Sequence, residues 1–225
     1  MNLEMHSRWV GNVLVMQCVG RLVAGEEVQA FHREVTKALT EMPVAVINLN
    51  GVQFLDSSGI GTLVRLAGHA RTAGGDVKLC CVPEIIHKTL KLTKVDRVLE
   101  VHASEADALE ASYRGPAMSP TRGASRRLLL VHPSQDCLAF AAQVLRGAGY
   151  EVLTAGNVPD ARVLLKASKP DLVIAGEELP EAASDMLREM AGRIPIITLE
   201  AGFGALDPTY AAERLIGRVK AAVPA

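Results

Sequence analysis

Short strand-like segments alternate with amphipathic helical segments along nearly the whole chain, and this alternation restricts the fold more than any other feature. Between residues 26 and 39 apolar side chains recur at helical spacing, and apolar strand-like segments flank that stretch at 12–19 and 44–49. Similar strand and helix patterns follow towards the C-terminal end, with short loops between them. This alternation predicts an α/β protein in which helices cover a largely parallel sheet.

The alternation is interrupted once, at residues 113–126, where glycine, proline and serine are dense and hydrophobic periodicity is lost. We interpret this stretch as a flexible linker between a first domain at residues 1–112 and a second at 127–225. The linker region is also rich in arginine, which could contact nucleic acid. A solvated hinge is favoured, because Tyr113 is the only aromatic residue among these cations. The arginines are Arg114, Arg122, Arg126 and Arg127.

Composition argues against several classes of partner. Apolar residues make up 49% of the chain, and the formal net charge of −1 gives no general attraction to nucleic acid or to an anionic membrane. No apolar run reaches the roughly 18 residues that a membrane-spanning helix requires, and the N-terminal segment MNLEMHSRWV lacks the pattern of a signal peptide. We therefore expect a cytoplasmic protein that binds neither nucleic acid nor membranes.

Cysteine and histidine spacing predicts no metal site. The four cysteines contain no CxxC pair, and the six histidines contain no HxxxH or HExxH pair. Cys80 and Cys81 are adjacent in a predicted strand at 76–82. Neighbouring strand residues point to opposite faces, so these two thiols are not expected to share a metal ion. We expect buried, reduced cysteines and neither a metal nor a cofactor.

One junction in the first domain carries the strongest functional signal, because it places small and polar residues between an apolar strand and an amphipathic helix. The junction consists of Asp56, Ser57, Ser58, Gly59, Ile60 and Gly61. From spacing alone, a helix cap formed by Asp56 or Ser57 is the favoured interpretation. The alternative is that one serine accepts a phosphate at the exposed helix N-terminus, which has unpaired N–H groups and a partial positive charge. Gly59 and Gly61 would then allow close approach of a partner backbone.

The residues around this junction resemble a known family. The segment NLN, followed by VQFLDSSGIG, an amphipathic helix and a Gly-Gly pair before the next strand, is similar to the STAS family over residues 2–112. The soluble members of that family are bacterial anti-sigma factor antagonists. The resemblance implies that the first domain is a mixed sheet with helices.

The same resemblance implies a partner-switching function. Ser57, the first serine after the aspartate, would receive the ATP γ-phosphate from an anti-sigma factor that is also a serine protein kinase. The unmodified form would bind that anti-sigma factor, and phosphorylation would release it by adding nearly two negative charges. Asp56 would orient the hydroxyl or contact the kinase, and Ser58 would be structural. A PP2C-type phosphatase would reset the switch, and a homodimer is a further expectation.

The chain shows no means of catalysing this phosphorylation itself. It contains no GxxxxGK[ST] loop, no GxGxxG segment after a strand and no GxSxG elbow. His69 follows Ser57 by twelve residues, or about 18 Å along a helix, which is too far for a Ser–His pair. We therefore expect a protein that is not an enzyme.

The second domain resembles the receiver domain of response regulators, which is a doubly wound parallel sheet. The resemblance implies paired acids for Mg²⁺, an acceptor aspartate, a Thr or Ser, and a lysine. His132 and Pro133 replace the acids, Gly176 replaces the aspartate, Glu200 replaces the hydroxyl residue, and the lysine has no counterpart. Without these groups we expect a pseudo-receiver that forms no acyl phosphate. Few residues follow Leu199, so the fourth helix and fifth strand should be reduced or lost.

Two other interpretations remain open at this point. The first domain could be a scaffold in a STAS-type signalling assembly, or the small STAS subunit of a lipid-transport complex, with Ser57 only a cap and contact residue. The second domain could be a plain α/β packing module, or a fixed surface for docking or dimerisation.

Overall fold

The computed structural model describes residues 3–114, 126–200, 202–203 and 206–223. The chain divides into two compact units, Met1–Ser119 and Pro120–Ala225. Most of the predicted linker, residues 115–125, lies outside the described residues. Among the described residues, none of the helices has both the length and the apolar character needed to cross a membrane.

The first unit contains a five-stranded sheet and four α-helices. Its elements are β1 (Glu4–Val10), β2 (Val13–Leu22), α1 (Glu26–Glu41), β3 (Val44–Leu55), α2 (Ser57–Thr72), β4 (Asp76–Cys80), α3 (Glu84–Leu92), a 3₁₀ turn (Val95–Arg97), β5 (Glu100–His102) and α4 (Glu105–Arg114). The strand order is β1-β2-β3-β4-β5, with β1 antiparallel to β2 and the other pairs parallel. The predicted mixed sheet with helices is confirmed.

β1 is the one element of this sheet that the sequence analysis missed. It is a polar edge strand in which only Val10 is buried, so it lacks the apolar run that identified the other strands. Gly11 and Asn12 form the two-residue turn that joins β1 to β2, and Gly11 has a φ of 56°. A Gly-Asn pair between two strand-forming segments is a hairpin signal, and it could have revealed β1.

The sheet is buried on both faces. One core joins apolar residues of α1, α2 and α3 to the strands, and its largest members include Phe31, Leu39, Ile47 and Leu63. α4 contacts β3 and β4 on the other face. The helix extends to Arg114, so the first two residues that we assigned to the linker are helical. The Tyr113 hydroxyl donates a hydrogen bond to the Val10 carbonyl at 2.6 Å, which ties the end of α4 to β1.

The second unit is a four-stranded parallel sheet. Its elements are β6 (Arg127–Val131), α5 (Gln135–Gly147), β7 (Glu151–Ala155), α6 (Val158–Ser168), β8 (Leu172–Gly176), α7 (Glu181–Ala191), β9 (Ile196–Leu199) and α8 (Pro208–Ala222). Within the described residues, the order β7-β6-β8-β9 matches the first four strands of the flavodoxin-like 2-1-3-4-5 order. α5 and α8 share one core with the sheet, while α6 packs against α7. The predicted doubly wound parallel sheet is confirmed.

One backbone position departs from the expected strand geometry. β4 ends at Cys80, and Cys81 adopts the left-handed region with a φ of 52°. The sequence analysis placed both cysteines in one regular strand with their side chains on opposite faces. That expectation is wrong, because the alternation of faces holds only while the backbone stays extended.

The turn between α2 and β4 depends on the absence of a side chain at Gly75. A Cβ atom there would overlap the Pro43 carbonyl oxygen and lie 2.8 Å from the Pro43 Cβ. The same carbonyl accepts a hydrogen bond from the Asp76 N–H at 3.0 Å, which starts the pairing of β3 with β4. Gly68, in the middle of α2, has open space around its Cβ position.

Gly75→Ala is therefore expected to lower the free energy of unfolding of the first unit by about 1–3 kcal/mol, because the clash is with backbone. Gly68→Ala is the matched control and is expected to raise it by about 0.5–1 kcal/mol, since alanine favours a helix interior over glycine. Urea unfolding followed by the fluorescence of Trp9, the single tryptophan, reports on this unit. Equal effects of the two substitutions would contradict the close approach at Gly75.

Candidate functional site

The junction of interest lies where β3 extends past its neighbour. β4 ends at Cys80, which pairs with Asn48, whereas β3 continues to Leu55 and pairs there with β2. α2 begins at Ser57, so Asp56 occupies the N-cap position between the strand and the helix. The extension carries this N-cap beyond the end of β4.

Asp56 uses both carboxylate oxygens to hold the junction together. Oδ1 accepts hydrogen bonds from the N–H groups of Ser58 and Gly59, each at 2.9 Å. Oδ2 accepts a hydrogen bond from the N–H of Ala24 at 2.9 Å, in the loop between β2 and α1. The Asp56 N–H also donates to the Leu22 carbonyl at 3.4 Å. One side chain therefore caps α2 and ties it to the preceding crossover.

These hydrogen bonds stabilise the ionised form of the carboxyl group. The N–H of Ala24 makes the largest contribution that lowers the pKa of Asp56, and those of Gly59 and Ser58 act in the same direction, against an opposing effect of desolvation. Asp56 therefore already supplies a negative charge at the start of α2. Its carboxylate also pairs two of the N–H groups that have no partner within the helix.

Ser57 has a different environment from its neighbours. Its side chain is exposed at the first position of α2, and within the described part of the chain its hydroxyl makes no hydrogen bond. Ser58 is partly exposed, and no hydrogen bond from its hydroxyl to nearby backbone occurs among the described residues. Asp56 is thus the cap, which leaves the Ser57 hydroxyl available to another molecule.

The two glycines of the junction differ in what surrounds them. Gly59 is buried, and a Cβ there would overlap the Leu22 carbonyl oxygen and lie 2.6 Å from Leu55 Cδ1. The close approach at Gly59 is therefore internal, not with a partner backbone as the sequence analysis supposed. At Gly61 the nearest atom to a Cβ would be the Arg65 guanidinium at 3.7 Å, so internal packing does not require glycine there. Ile60 is buried in the core.

An aromatic residue beside the junction was missed by the sequence analysis. Phe54, near the end of β3, keeps 51% of its surface exposed. The Arg21 guanidinium carbon lies 5.3 Å from the centroid of its ring, within the range of a cation–π contact. A large aromatic residue two positions before Asp56 was the signal. The pair adds an exposed aromatic ring and a cation near the end of β3.

The second unit has a filled pocket where a receiver would hold its acceptor. Gly176 ends β8, and a Cβ there would overlap the imidazole of His132, with Cγ and Nε2 both at 3.1 Å. His132 follows β6 and is only 3% exposed. Its Nδ1 accepts a hydrogen bond from the Ser134 N–H at 3.0 Å, and its Nε2 lies 3.7 Å from the Glu178 carboxylate. The ring occupies the space in which an aspartate side chain would have to fit.

The position at which the resemblance implies a Thr or Ser is also occupied differently. Glu200, after β9, forms ion pairs with Arg214 at 2.6 Å and Arg218 at 3.6 Å, both on α8. β9 is the last strand of the sheet among the described residues, and α8 packs on α5. No group of three or more metal-ligating side chains is present in the described ranges.

Comparison with known proteins identifies the first unit. Residues 6–108 match the family described as "STAS domain", so this unit contains a STAS domain. The curated anti-sigma F factor antagonist of Paenibacillus polymyxa is 28% identical over 64 residues, which are 28% of this chain. The match spans 55% of the length of that relative.

Two of the similar solved structures each cover part of the chain. An anti-sigma factor antagonist from Mycobacterium paratuberculosis is 20% identical with a TM-score of 0.43, covering 49% of this chain and 94% of that one. The chemotaxis protein CheY4 of Vibrio cholerae is 19% identical with a TM-score of 0.37, covering 44% of this chain and 100% of that one.

Asp56→Ala is expected to lower the free energy of unfolding of the first unit by about 1–2 kcal/mol, because it removes a helix cap. In Asp56→Asn the side-chain oxygen can still cap α2, but the NH₂ group that replaces the second oxygen cannot accept the hydrogen bond from the Ala24 N–H. The lowered pKa means that the carboxylate stabilises the fold fully above its unfolded value of about 3.9 and loses this effect as the pH falls through the folded value. Urea unfolding at pH 7 and pH 3, followed by Trp9, should show a smaller difference in the free energy of unfolding between the native chain and Asp56→Asn at pH 3 than at pH 7.

Residues 127–225 are expected to remain unlabelled by acetyl phosphate in the presence of Mg²⁺, because the acceptor is absent and His132 fills its place. Gly176→Asp alone should stay unlabelled and destabilise the second unit, since the new side chain clashes with the imidazole. Intact-mass measurement followed by peptide mapping checks both results. Stable phosphorylation of the native chain within these residues would contradict the pseudo-receiver interpretation.

Proposed function

We propose that the STAS domain at residues 6–108 acts as an anti-sigma factor antagonist whose binding is switched off by phosphorylation of Ser57. The proposal is supported by the exposed hydroxyl at the start of α2, beside an aspartate that is already engaged as the cap. It also draws on the relatedness to an anti-sigma F factor antagonist. A hydroxyl that the fold itself does not use is free to take part in a regulatory reaction.

The charges at the junction favour release of a bound partner when Ser57 is phosphorylated. They do not favour a phosphate that orders the start of α2. A phosphate adds nearly two negative charges next to the Asp56 carboxylate. The N–H groups of Ser58 and Gly59 are already bonded to Asp56, so these two helix donors are not available to the phosphate. Its charge therefore faces outwards, where it repels an acidic partner surface and must be desolvated by any close contact.

The surface proposed for the anti-sigma factor includes residues 56–61 and extends to Phe54 and Arg21. Phe54 contributes exposed aromatic area and Arg21 a cation, and both residue types are common at the centres of protein interfaces. Gly61 leaves the α2 backbone bare on the exposed side of its second turn. A partner backbone can approach closely at that point, whereas Gly59 and Ile60 support the surface from below.

The reaction partners belong to the same proposal. The phosphate donor is a separate anti-sigma factor with serine kinase activity, and a PP2C-type phosphatase removes the phosphate, so this chain is a substrate and not an enzyme. It would work in the cytoplasm, where the sigma factor is released to the transcription machinery. We include a homodimer in the proposal, to be checked by light scattering.

The second unit is proposed to be an accessory without a phosphorylation step of its own. The filled pocket at Gly176 and the Glu200 ion pairs support a fixed surface and not a receiver switch. Its contribution would be to bind a further protein or to support dimerisation.

Ser57→Asp is expected to weaken binding to the anti-sigma factor encoded in the same genome at least tenfold, or about 1.4 kcal/mol, while the fold is retained. Ser57→Ala should still bind and should no longer be phosphorylated when that partner and ATP are added. Calorimetry gives the affinities, and phosphosite mapping identifies the modified residue.

Thr209→Asp is a matched control for the added charge. Thr209 is exposed in the first turn of α8, and its N–H donates to the capping Asp207 at 3.0 Å, as at Ser58 and Asp56. This variant should bind like the native chain. Unchanged affinity of Ser57→Asp would overturn the switch and favour a scaffold or a transport-complex subunit instead.

A further inference from the structure

Two neighbouring cysteines in the first unit are held in an unusual arrangement. Cys81 has a φ of 52°, a region that residues other than glycine, asparagine and aspartate rarely adopt. Its N–H donates a hydrogen bond to the His102 carbonyl at 3.2 Å, which fixes the backbone at the end of β4. The two thiols belong to adjacent residues, and the Cys81 side chain is close enough to that of Cys80 to contribute to raising its pKa. Regular strand geometry would have kept these side chains apart.

The two thiols have different access to solvent. Cys80 has no exposed surface, whereas Cys81 is partly exposed. Burial raises the pKa of the Cys80 thiol, with smaller contributions from Cys81 and from the nearby Glu105 carboxylate. Cys80 is therefore a protonated, protected thiol, and a small oxidant in solution reaches Cys81 first.

We propose that Cys80 and Cys81 form a redox modification site, a vicinal dithiol that a hydroperoxide converts into a disulfide. The Cys81 sulfur attacks one peroxide oxygen, the O–O bond breaks, and a sulfenic acid and one water are produced with hydrogen peroxide as the oxidant. The Cys80 sulfur then attacks the sulfenic sulfur, the S–O bond breaks, and the leaving hydroxide takes the Cys80 proton as a second water. Two thiols are oxidised and one peroxide is reduced.

The disulfide between Cys80 and Cys81 is reversible and does not serve to stabilise the fold. Adjacent Cα atoms are about 3.8 Å apart across a trans peptide, below the usual disulfide separation of about 4.4–6.8 Å. A disulfide across that distance is strained, and strained disulfides are easily reduced again. The site is separate from the Ser57 junction, because Cys80 pairs with Asn48 whereas the junction follows Leu55. The proposal therefore does not rest on the proposed regulatory function.

The experiment treats the reduced full-length protein with a small molar excess of hydrogen peroxide and then maps its peptides. The tryptic peptide that spans residues 79–88 contains both cysteines. It is expected to lose two hydrogens, two of the four cysteines should stop reacting with a maleimide after denaturation, and dithiothreitol should restore both. Addition of oxygen atoms to this peptide without a disulfide, or a covalent dimer, would overturn the proposal.

Two variants separate the pair from the other cysteines. Cys81→Asn is chosen because asparagine tolerates the left-handed conformation, and in this variant Cys80 should remain reactive after peroxide treatment and denaturation. Cys137→Ser removes a buried thiol of the second unit and should leave the product at residues 79–88 unchanged. Loss of the disulfide in Cys137→Ser would show that Cys137 takes part, and would also overturn the assignment. The result on the native chain decides the proposal even if Cys81→Asn does not fold.

Discussion

The Asp56 carboxylate is the interaction on which the candidate site depends. It bonds three backbone N–H groups from two separate segments, the start of α2 and the loop after β2. The strand extension of β3 brings the helix N-terminus beside that loop, and the carboxylate fixes their relative position. Because Asp56 is the N-cap of α2, the Ser57 hydroxyl is not needed to cap the helix. The same feature that explains the stability of the junction explains why one hydroxyl is exposed there.

The second unit combines a receiver-like parallel sheet with side chains that pack against one another at the ends of its strands. The parallel sheet and its strand order are those of a receiver-like domain up to the fourth strand. His132 and Gly176 are complementary, because the imidazole fills the space that a side chain at residue 176 would need. Glu200 is engaged by two arginines of α8 instead of facing a phosphoryl group. These side chains fit each other, so the ends of the strands are closely packed.

The order of helices and strands was largely predictable, because hydrophobic periodicity and residue composition are local properties of the sequence. α1 is defined by Val28, Phe31, Val35 and Leu39, and all four are buried as their spacing predicts. The cap of α4 is local as well, because the Ser104 hydroxyl accepts a hydrogen bond from the Asp107 N–H at 3.1 Å, three residues further along the chain. β1 was missed because an edge strand with one buried residue has no apolar run. Which face Cys81 takes was missed because a single left-handed residue leaves no periodic signal.

The sequence by itself determined the α/β fold class, the order of most strands and helices, and the small and polar residue types at the junction of residues 56–61, since each of these follows from residue type and local spacing. Only the tertiary structure decided that Asp56 also binds Ala24, that Gly59 is needed for an internal contact, and that the backbone leaves the strand conformation at Cys81. These relations depend on which distant backbone segment lies beside each side chain. That placement is set by the packing of the whole sheet and is not encoded in any short stretch of the chain.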